Sequence, residues 1–224
     1  MSLRPTRCLL LAALVVSGCA PLPYLLNVTH DTLVGIDVAL ESDVAVPGTP
    51  PARSHVTMVR RFVHSSEVHD IAAALGTLMA SANLPGLKLA AAGSHTDTSH
   101  GGSVTALLID PSQDLRRLEE RIAQILDLFS EDPVDATEYI VTPDRSRMEA
   151  GAIAAIEHFV PDQSGVNFRP HVLVAPAQAD AVKRLESQPG AVAIRAAGLS
   201  VYQLGRTGTP DRLLWTWTGE IGAR

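Results

Sequence analysis

The sequence predicts an α+β fold of two lobes, each a strand–helix–strand unit, with antiparallel sheets around a central cleft. Two observations lead to this expectation. Segments with strand patterns alternate with segments of helical periodicity along residues 33–217. The tetrapeptide His55–Met58 is echoed by His171–Val174, and each copy is followed by a loop, a helix and strands. A repeated unit of this kind indicates a duplicated fold.

The first half of the domain contains most of the predicted strands and the clearest helix. We predict strands at about Leu33–Leu40, His55–Val59, Leu87–Leu89 and Val104–Ile109, and helices at about Ser66–Ala82 and Ser112–Phe129. The second strand has β-branched, alternating residues. Ser66 is the expected N-cap of the first helix, and Asp114 suits the start of the second. Apolar residues recur at helical spacing in both, at Ile71, Leu75, Leu78 and Met79 and at Leu115, Leu118, Ile122, Ile125 and Leu126.

The second half repeats the strand and helix patterns after a less regular stretch. We predict strands at about Tyr139–Val141, Pro170–Val174, Val192–Ile194, Ser200–Leu204 and Leu213–Trp217, and helices at about Ser146–Phe159 and Gln178–Gln188. Residues 33–217 then form one bilobal domain, and residues 218–224 form a C-terminal tail.

The start of the chain predicts a secretory signal. Two arginines precede a short apolar run, Cys8–Val16, which is too short to span a membrane as a helix. Val16–Cys19 resembles a bacterial lipobox, which implies cleavage after residue 18 and a lipid on the Cys19 thiol. An ordinary signal peptide with an incidental cysteine is the alternative.

A lipid on Cys19 determines the expected location of the protein. We expect residues 1–18 to be the signal peptide and residues 19–32 to be the anchor and tether, with the membrane as a partner through the Cys19 lipid. The protein would lie in the cell envelope, and Ala20 favours the periplasmic face of the outer membrane in a Gram-negative cell.

Two histidine motifs are the main candidates for chemistry. Residues i and i+2 of a strand point to the same face, so His55 and Thr57 project together, and so do His171 and Leu173. Two lobes that face each other would bring the two histidines together. A histidine pair can hold one neutral and one protonated ring near neutral pH, as acid–base catalysis requires.

The chain resembles the two-histidine (2H) phosphoesterase superfamily, which includes 2′-5′ RNA ligase-like proteins and cyclic phosphodiesterases. The resemblance rests on Ser54–Met58, which matches the family's His-x-Thr/Ser motif, and on Phe168–Val174, which matches it except at Leu173. It implies that His55 and His171 are the catalytic acid–base pair, that Thr57 binds phosphate, and that no metal or other cofactor is required. The implied reaction is hydrolysis of a 2′,3′-cyclic phosphate on a nucleotide or RNA end.

Leu173 leaves a second function open. A missing hydroxyl donor to a developing oxyanion costs about 10²–10³ in turnover in other enzymes. The alternative is therefore a catalytically impaired relative that binds a small ligand in the envelope. A structural envelope lipoprotein, which would need no paired histidines, is a third possibility.

Composition and the remaining motifs exclude several classes. The net charge is −6, with 18 basic and 24 acidic residues, which argues against a DNA-binding protein. Cys8 and Cys19 are too few for a disulfide framework or a cysteine-rich zinc site. The polar segment Ser94–Gly102 carries His95 and His100, but we interpret it as a surface loop rather than a metal site. The sequence indicates no oligomeric state.

Overall fold

The computed structural model describes residues 32–46, 52–82, 87–97, 104–131, 140–174, 179–182 and 192–218. The predicted signal peptide, the tether up to residue 31, Cys19 and most of the tail lie outside the described residues. Most of the predicted helix Gln178–Gln188 also lies outside them, although residues 179–182 are helical. In the described part of the chain, none of the helices is long and apolar enough to cross a membrane.

The fold is α+β, as predicted, and its strands are antiparallel. Within the described residues, seven strands form one sheet: β1 (Leu33–Ala45), β2 (Ala52–His64), β3 (Lys88–Asp97), β4 (Val104–Ile109), β5 (His171–Val174), β6 (Ala193–Leu204) and β7 (Pro210–Thr218). Their order is β2-β1-β6-β3-β4-β5, and β7 also pairs with β6. The helices are α1 (Val68–Ser81), α2 (Gln113–Leu126), α3 (Ala150–Glu157) and α4 (Phe159–Gln163).

One face of the sheet carries the main hydrophobic core. On β1 this core face is marked by Ile36, Val38 and Leu40, which are fully buried, and it continues through the residues opposite them on neighbouring strands. Helices α1 and α2 cover it with the apolar stripes predicted from the sequence. Their buried members are Ile71, Leu75, Leu78 and Met79 of α1 and Leu115, Leu118, Ile122 and Leu126 of α2.

The other face of the sheet is covered only in part. A second cluster packs α3 and the start of α4 on one end of β1 and β2, and its members are Leu33, Phe62, Ile140, Met148, Ala152, Ile153, Ile156 and Leu204, with Phe159 of α4 buried beside β2. Gly35 lies beneath α3, where a Cβ would come within 3.1 Å of Ile156 Cδ1. This packing leaves the rest of the face free for polar side chains.

The structure corrects the predicted start of α1 and the predicted third helix. Ser65–Glu67 form a 3₁₀ turn before α1, so Glu67, and not Ser66, is the residue at its N-cap. The predicted helix Ser146–Phe159 begins only at Ala150, and α4 follows as a separate turn. By contrast, Ser112 is the N-cap of α2, where its hydroxyl accepts the Leu115 N–H.

Several strands are longer than predicted. Polar residues extend β2 to His64 because β1 pairs with it along its length. Residues Ser94–Asp97, predicted to lie in a loop, belong to β3 and pair with β4. The two predicted strands at Val192–Ile194 and Ser200–Leu204 are one strand, β6. Tyr139 of the predicted strand Tyr139–Val141 lies outside the described residues, and Ile140 makes an isolated bridge to Leu33.

Candidate functional site

Both histidine motifs lie on the face of the sheet opposite the core. Residues directly opposite each other in antiparallel strands share a face, so the register can be followed from β2 through β1, β6, β3 and β4 to β5. His55, Thr57, His171 and Leu173 all fall on this face, which we call the histidine face. The residues between them, such as Val56 and Val172, are fully buried in the core.

The two motif strands contact each other although they stand at opposite ends of the strand order. The Ser54 hydroxyl donates a hydrogen bond to the Leu173 carbonyl oxygen at 2.9 Å, across 119 positions of sequence. Five successive antiparallel pairings separate β2 from β5, so the two strands run in opposite directions. Because the two strands are antiparallel, the residues that follow Ser54 in β2 lie alongside the residues that precede Leu173 in β5. His55 and His171 are therefore on the same side of this contact.

Thr57 is held by a buried carboxylate. Its hydroxyl donates to Asp37 Oδ2 at 3.0 Å, and the same oxygen accepts from Arg60 Nε at 3.2 Å and contacts Arg60 Nη2 at 3.1 Å. Asp37 is 0% exposed, and its other oxygen, Oδ1, has no hydrogen-bond partner among the described residues. Burial raises the pKa of Asp37, while Arg60, Thr57 and His55 act in the opposite direction.

A tyrosine and a glutamate lie beside His55. Glu41 is directly opposite His55 in the β1–β2 register, and Tyr202 O–H donates to Glu41 Oε1 at 2.7 Å. The rings of Tyr202 and His55 have centroids 6.0 Å apart. Burial, together with the Glu41 carboxylate, raises the pKa of Tyr202 to about 12. The phenol is therefore protonated at neutral pH and serves as a donor.

The second histidine has one nitrogen engaged by the backbone. His171 Nδ1 lies 3.2 Å from the Arg169 carbonyl oxygen. A carbonyl oxygen only accepts hydrogen bonds, so this contact requires a proton on Nδ1. In the neutral ring the lone pair is then on Nε2, and the side chain is exposed on the histidine face.

A turn before β5 fixes the approach to His171. Gly165 has φ +59°, its N–H donates to Glu119 Oε2 at 3.3 Å, and its carbonyl accepts from Arg116 Nη1 at 3.1 Å. Burial raises the pKa of Glu119. The Pro170 carbonyl then accepts the Ile109 N–H at 2.9 Å, which anchors the start of β5 to β4.

Sequence reasoning did not identify three side chains of this site, Asp37, Glu41 and Tyr202. Asp37 is a charged residue within the otherwise apolar segment Leu33–Leu40, and Glu41 directly follows this segment. A charged residue in an apolar strand was the signal in the sequence that could have identified them. The proximity of Tyr202 to His55 could not be predicted from the sequence, because it depends on the pairing of β1 with β6. Arg60 also lies on the histidine face beside Thr57, although strict alternation along β2 from Thr57 would place it on the opposite face.

The other candidate ligands are not assembled into a metal site within the described residues. His95 lies on β3, exposed on the histidine face opposite Ala106, and His100 lies outside the described residues. No group of three or more His, Cys, Asp or Glu in the described part of the chain could hold a metal ion.

Comparisons with family models, with curated proteins and with solved structures give no match for this chain. Its function is therefore inferred from the chemistry and geometry of the site.

Proposed function

We propose that the histidine face binds a phosphodiester and hydrolyses it, with a 2′,3′-cyclic phosphate on a nucleotide or RNA end as the expected substrate type. The observation that carries the proposal is the Ser54–Leu173 hydrogen bond, which joins the strands of two histidines that share one face. Histidines on adjoining strands of one face can act on opposite sides of a single phosphorus atom.

The contacts of the two rings suggest their roles. His171, with its proton on Nδ1, would use Nε2 to take a proton from water as the water oxygen bonds to phosphorus. His55, in its protonated form, would give a proton to the alkoxide oxygen whose bond to phosphorus breaks. The product is a phosphate monoester, and transfer of one proton from His171 to His55 through solvent returns both rings to their starting forms.

Thr57 and Arg60 are the proposed phosphate contacts beside this pair. The Thr57 hydroxyl donates to Asp37, so it must turn before it can donate to a phosphate oxygen. Burial raises the pKa of Asp37, while the Thr57 hydrogen bond and the Arg60 cation act in the opposite direction, so the hydroxyl and the guanidinium both favour the charged carboxylate. The Arg60 side chain is 24% exposed and supplies positive charge on the same face.

We also propose that the fold is a duplication around a cleft. The order β2, α1, β3, β4 in the first half resembles the order β5, helical residues 179–182, β6, β7 in the second. Each of these two series begins with a histidine strand, although β1 precedes the first series, and the two histidine strands adjoin. The histidine face would then be the floor of a cleft between two lobes.

The test is hydrolysis of adenosine 2′,3′-cyclic phosphate, followed by ³¹P NMR. We expect His55→Ala and His171→Ala each to lower turnover by about 10²–10⁴. His69→Ala is the matched control, because His69 is exposed on α1 and away from this face, and it should keep full activity. Equal inactivity of the unmodified protein and both variants would disprove the hydrolase.

One observation favours the second candidate, a small-ligand-binding relative without catalysis. Leu173 is 54% exposed at the position where the family motif has a hydroxyl. If no substrate is hydrolysed, tight binding of the cyclic phosphate that is lost in His171→Ala would support this candidate.

The lipid anchor remains a proposal of its own. We propose that Cys19 is lipidated and holds the protein in the cell envelope, so that its partners are the membrane and a small phosphorylated ligand rather than DNA. Labelled palmitate should enter the protein in cells and should be absent from Cys19→Ser.

A further inference from the structure

A carboxylate and a phenol on the histidine face have no part in the proposed proton transfers. Glu41 is directly opposite His55 in the β1–β2 register, and it accepts a hydrogen bond from the Tyr202 O–H at 2.7 Å. Both side chains are half-buried. In the proposed mechanism the water attacks at His171 and the alcohol leaves at His55. Glu41 and Tyr202 therefore border the alcohol side of the site.

Glu41 is bound to the tyrosine and not to the histidine. Glu41 and His55 are both described, and no hydrogen bond or ion pair joins them. A carboxylate that orients a catalytic histidine lies within hydrogen-bond distance of one of its ring nitrogens. Glu41 does not, so its carboxylate is directed to the space beside His55 rather than to the ring.

Glu41 brings a negative charge to this space. The other carboxylate of the face, Asp37, is paired with Arg60 at 3.1 Å. Among the described residues, Glu41 has instead a neutral partner, because burial and the Glu41 carboxylate raise the pKa of Tyr202 to about 12. His55 loses its positive charge when it protonates the leaving alcohol, and the carboxylate remains beside that alcohol.

We infer that Glu41 is a specificity-determining residue that restricts the alcohol part of the substrate to an uncharged group, so that the substrate is the cyclic phosphate of a single nucleoside and not of an RNA end. The inference rests on the proposed function, because the alcohol must leave at His55. The last nucleoside of an RNA carries a further phosphodiester, and like charges a few ångströms apart in a half-buried site repel each other. Specificity often depends on such an unfavourable contact with the wrong ligand.

Three probes that differ only at the 5′ position test the inference. Adenosine 2′,3′-cyclic phosphate has a free 5′-hydroxyl group. Its 5′-(methyl phosphate) adds the single negative charge of an RNA linkage, and its 5′-(dimethyl phosphate) adds similar bulk without charge. We expect kcat/KM of the unmodified full chain to be at least about tenfold lower for the charged probe than for either neutral probe.

A charge-removing variant assigns this discrimination to one side chain. Glu41→Gln keeps an oxygen that can accept from Tyr202, and it should reduce the discrimination to about twofold or less. Glu120→Gln removes the same charge from an exposed position of α2, on the other side of the sheet, and should keep the full discrimination. In the unmodified protein, an increase in NaCl from about 0.05 M to about 0.5 M should also weaken it, because salt screens the repulsion.

The outcomes separate the inference from the proposed function. Equal kcat/KM for the charged and neutral probes would overturn the role of Glu41 and leave the phosphoesterase in place. A discrimination that persists in Glu41→Gln and at high salt, or that extends to the dimethyl phosphate, would overturn it as well, because bulk and not charge would be the cause. Absence of hydrolysis for all three probes would overturn the proposed function and the inference with it.

Discussion

Residue 173 is the position at which the two candidate functions diverge. A threonine there would present a hydroxyl two residues from His171 on the same face, as Thr57 does beside His55. The leucine instead presents half of its apolar surface to solvent. Its backbone carbonyl, which accepts from Ser54, does not depend on the side chain, so the position can be changed without breaking the contact between β2 and β5.

We predict that Leu173→Thr increases hydrolysis of a 2′,3′-cyclic phosphate by about tenfold or more, because one oxyanion donor is worth about 10²–10³ in turnover elsewhere. The assay is initial rate by ³¹P NMR. Leu108→Thr, which adds a hydroxyl on the neighbouring strand, is the control and should give no comparable gain. An unchanged rate in Leu173→Thr would show that residue 173 does not face the phosphate.

The ion pair between Asp37 and Arg60 is the basis of a second prediction at the residue scale. Arg60→Met keeps an unbranched apolar stem but leaves the Asp37 carboxylate buried without its cation, so we expect a loss of roughly 2–3 kcal/mol in unfolding free energy at pH 7. Burial already raises the pKa of Asp37, and Arg60 is the largest opposing influence. Removal of Arg60 raises this pKa further.

The pH dependence of this loss has a definite sign. A carboxyl group with a raised pKa in the folded state binds its proton more tightly there than in the unfolded chain. Stability then falls as pH increases from about 4, the unfolded value, through the folded pKa. Urea unfolding should therefore show a larger loss for Arg60→Met at pH 7 than at pH 4.5. Arg206→Met, which removes an exposed pair with Glu149, is the control, with a loss near zero at both pH values. A pH-independent loss would contradict the assignment.

At the scale of elements, the sequence predicted correctly those helices and strands that are determined by interactions between residues close together in the chain. The α2 helix follows from its apolar stripe and from Ser112, whose hydroxyl caps the helix as expected. The extension of β3 through polar residues could not be predicted in the same way, because Thr96 and its neighbours are in a strand only through pairing with β4. The 3₁₀ turn before α1 likewise involves Ser65, whose N–H donates to the distant Thr32 carbonyl.

A β-bulge in β2 explains why Arg60 shares a face with Thr57. Strict alternation from Thr57 puts residue 60 on the opposite face. The β1–β2 register, however, changes between Val38 and Ala39, so that Met58 is an extra residue on β2. Arg60 then shares a face with Thr57 and reaches Asp37, while Arg61 points to the core side and pairs with Asp127, the residue that follows α2. A bulge is set by pairing between strands, which a single-strand pattern does not show.

The turn before β5 gives a prediction for an element. Gly165 has φ +59°, where a residue with a Cβ costs about 1–2 kcal/mol, so Gly165→Ala should lower the unfolding free energy by that amount. Gly151→Ala is the matched control: Gly151 is near the start of α3 with open space around it, and alanine there should stabilise by up to about 1 kcal/mol. Thermal unfolding of both variants is the measurement. Equal effects in both would contradict the role of the turn.

At the scale of the whole molecule, the essential feature is the meeting of β2 with β5. The sequence motifs suggested that His55 and His171 act together, but the path between their strands runs through four other strands. The periodicity of apolar residues along the chain does not predict this strand order, because β6 lies between β1 and β3 in the sheet although it follows both in the sequence. The pairing of distant segments is decided by the packing of the complete core.

Removal of the Ser54 hydroxyl should weaken the contact between β2 and β5 without changing either histidine. We predict that Ser54→Ala lowers the unfolding free energy by only about 1 kcal/mol, as one lost hydrogen bond does, but lowers kcat for a cyclic phosphate severalfold with little change in KM. Ser54→Thr, which keeps the hydroxyl, should restore kcat. A normal kcat in Ser54→Ala would mean that this hydrogen bond does not set the positions of the histidines.

The central claim, that His55 and His171 act as one pair, is tested most directly by a double-mutant cycle on turnover. The rate of adenosine 2′,3′-cyclic phosphate hydrolysis is measured for the unmodified protein, His55→Ala, His171→Ala and the double variant. Residues that act as a unit are strongly non-additive, so the double variant should be no slower than the slower single variant. Losses that multiply in the double variant, or four equal rates, would contradict the claim.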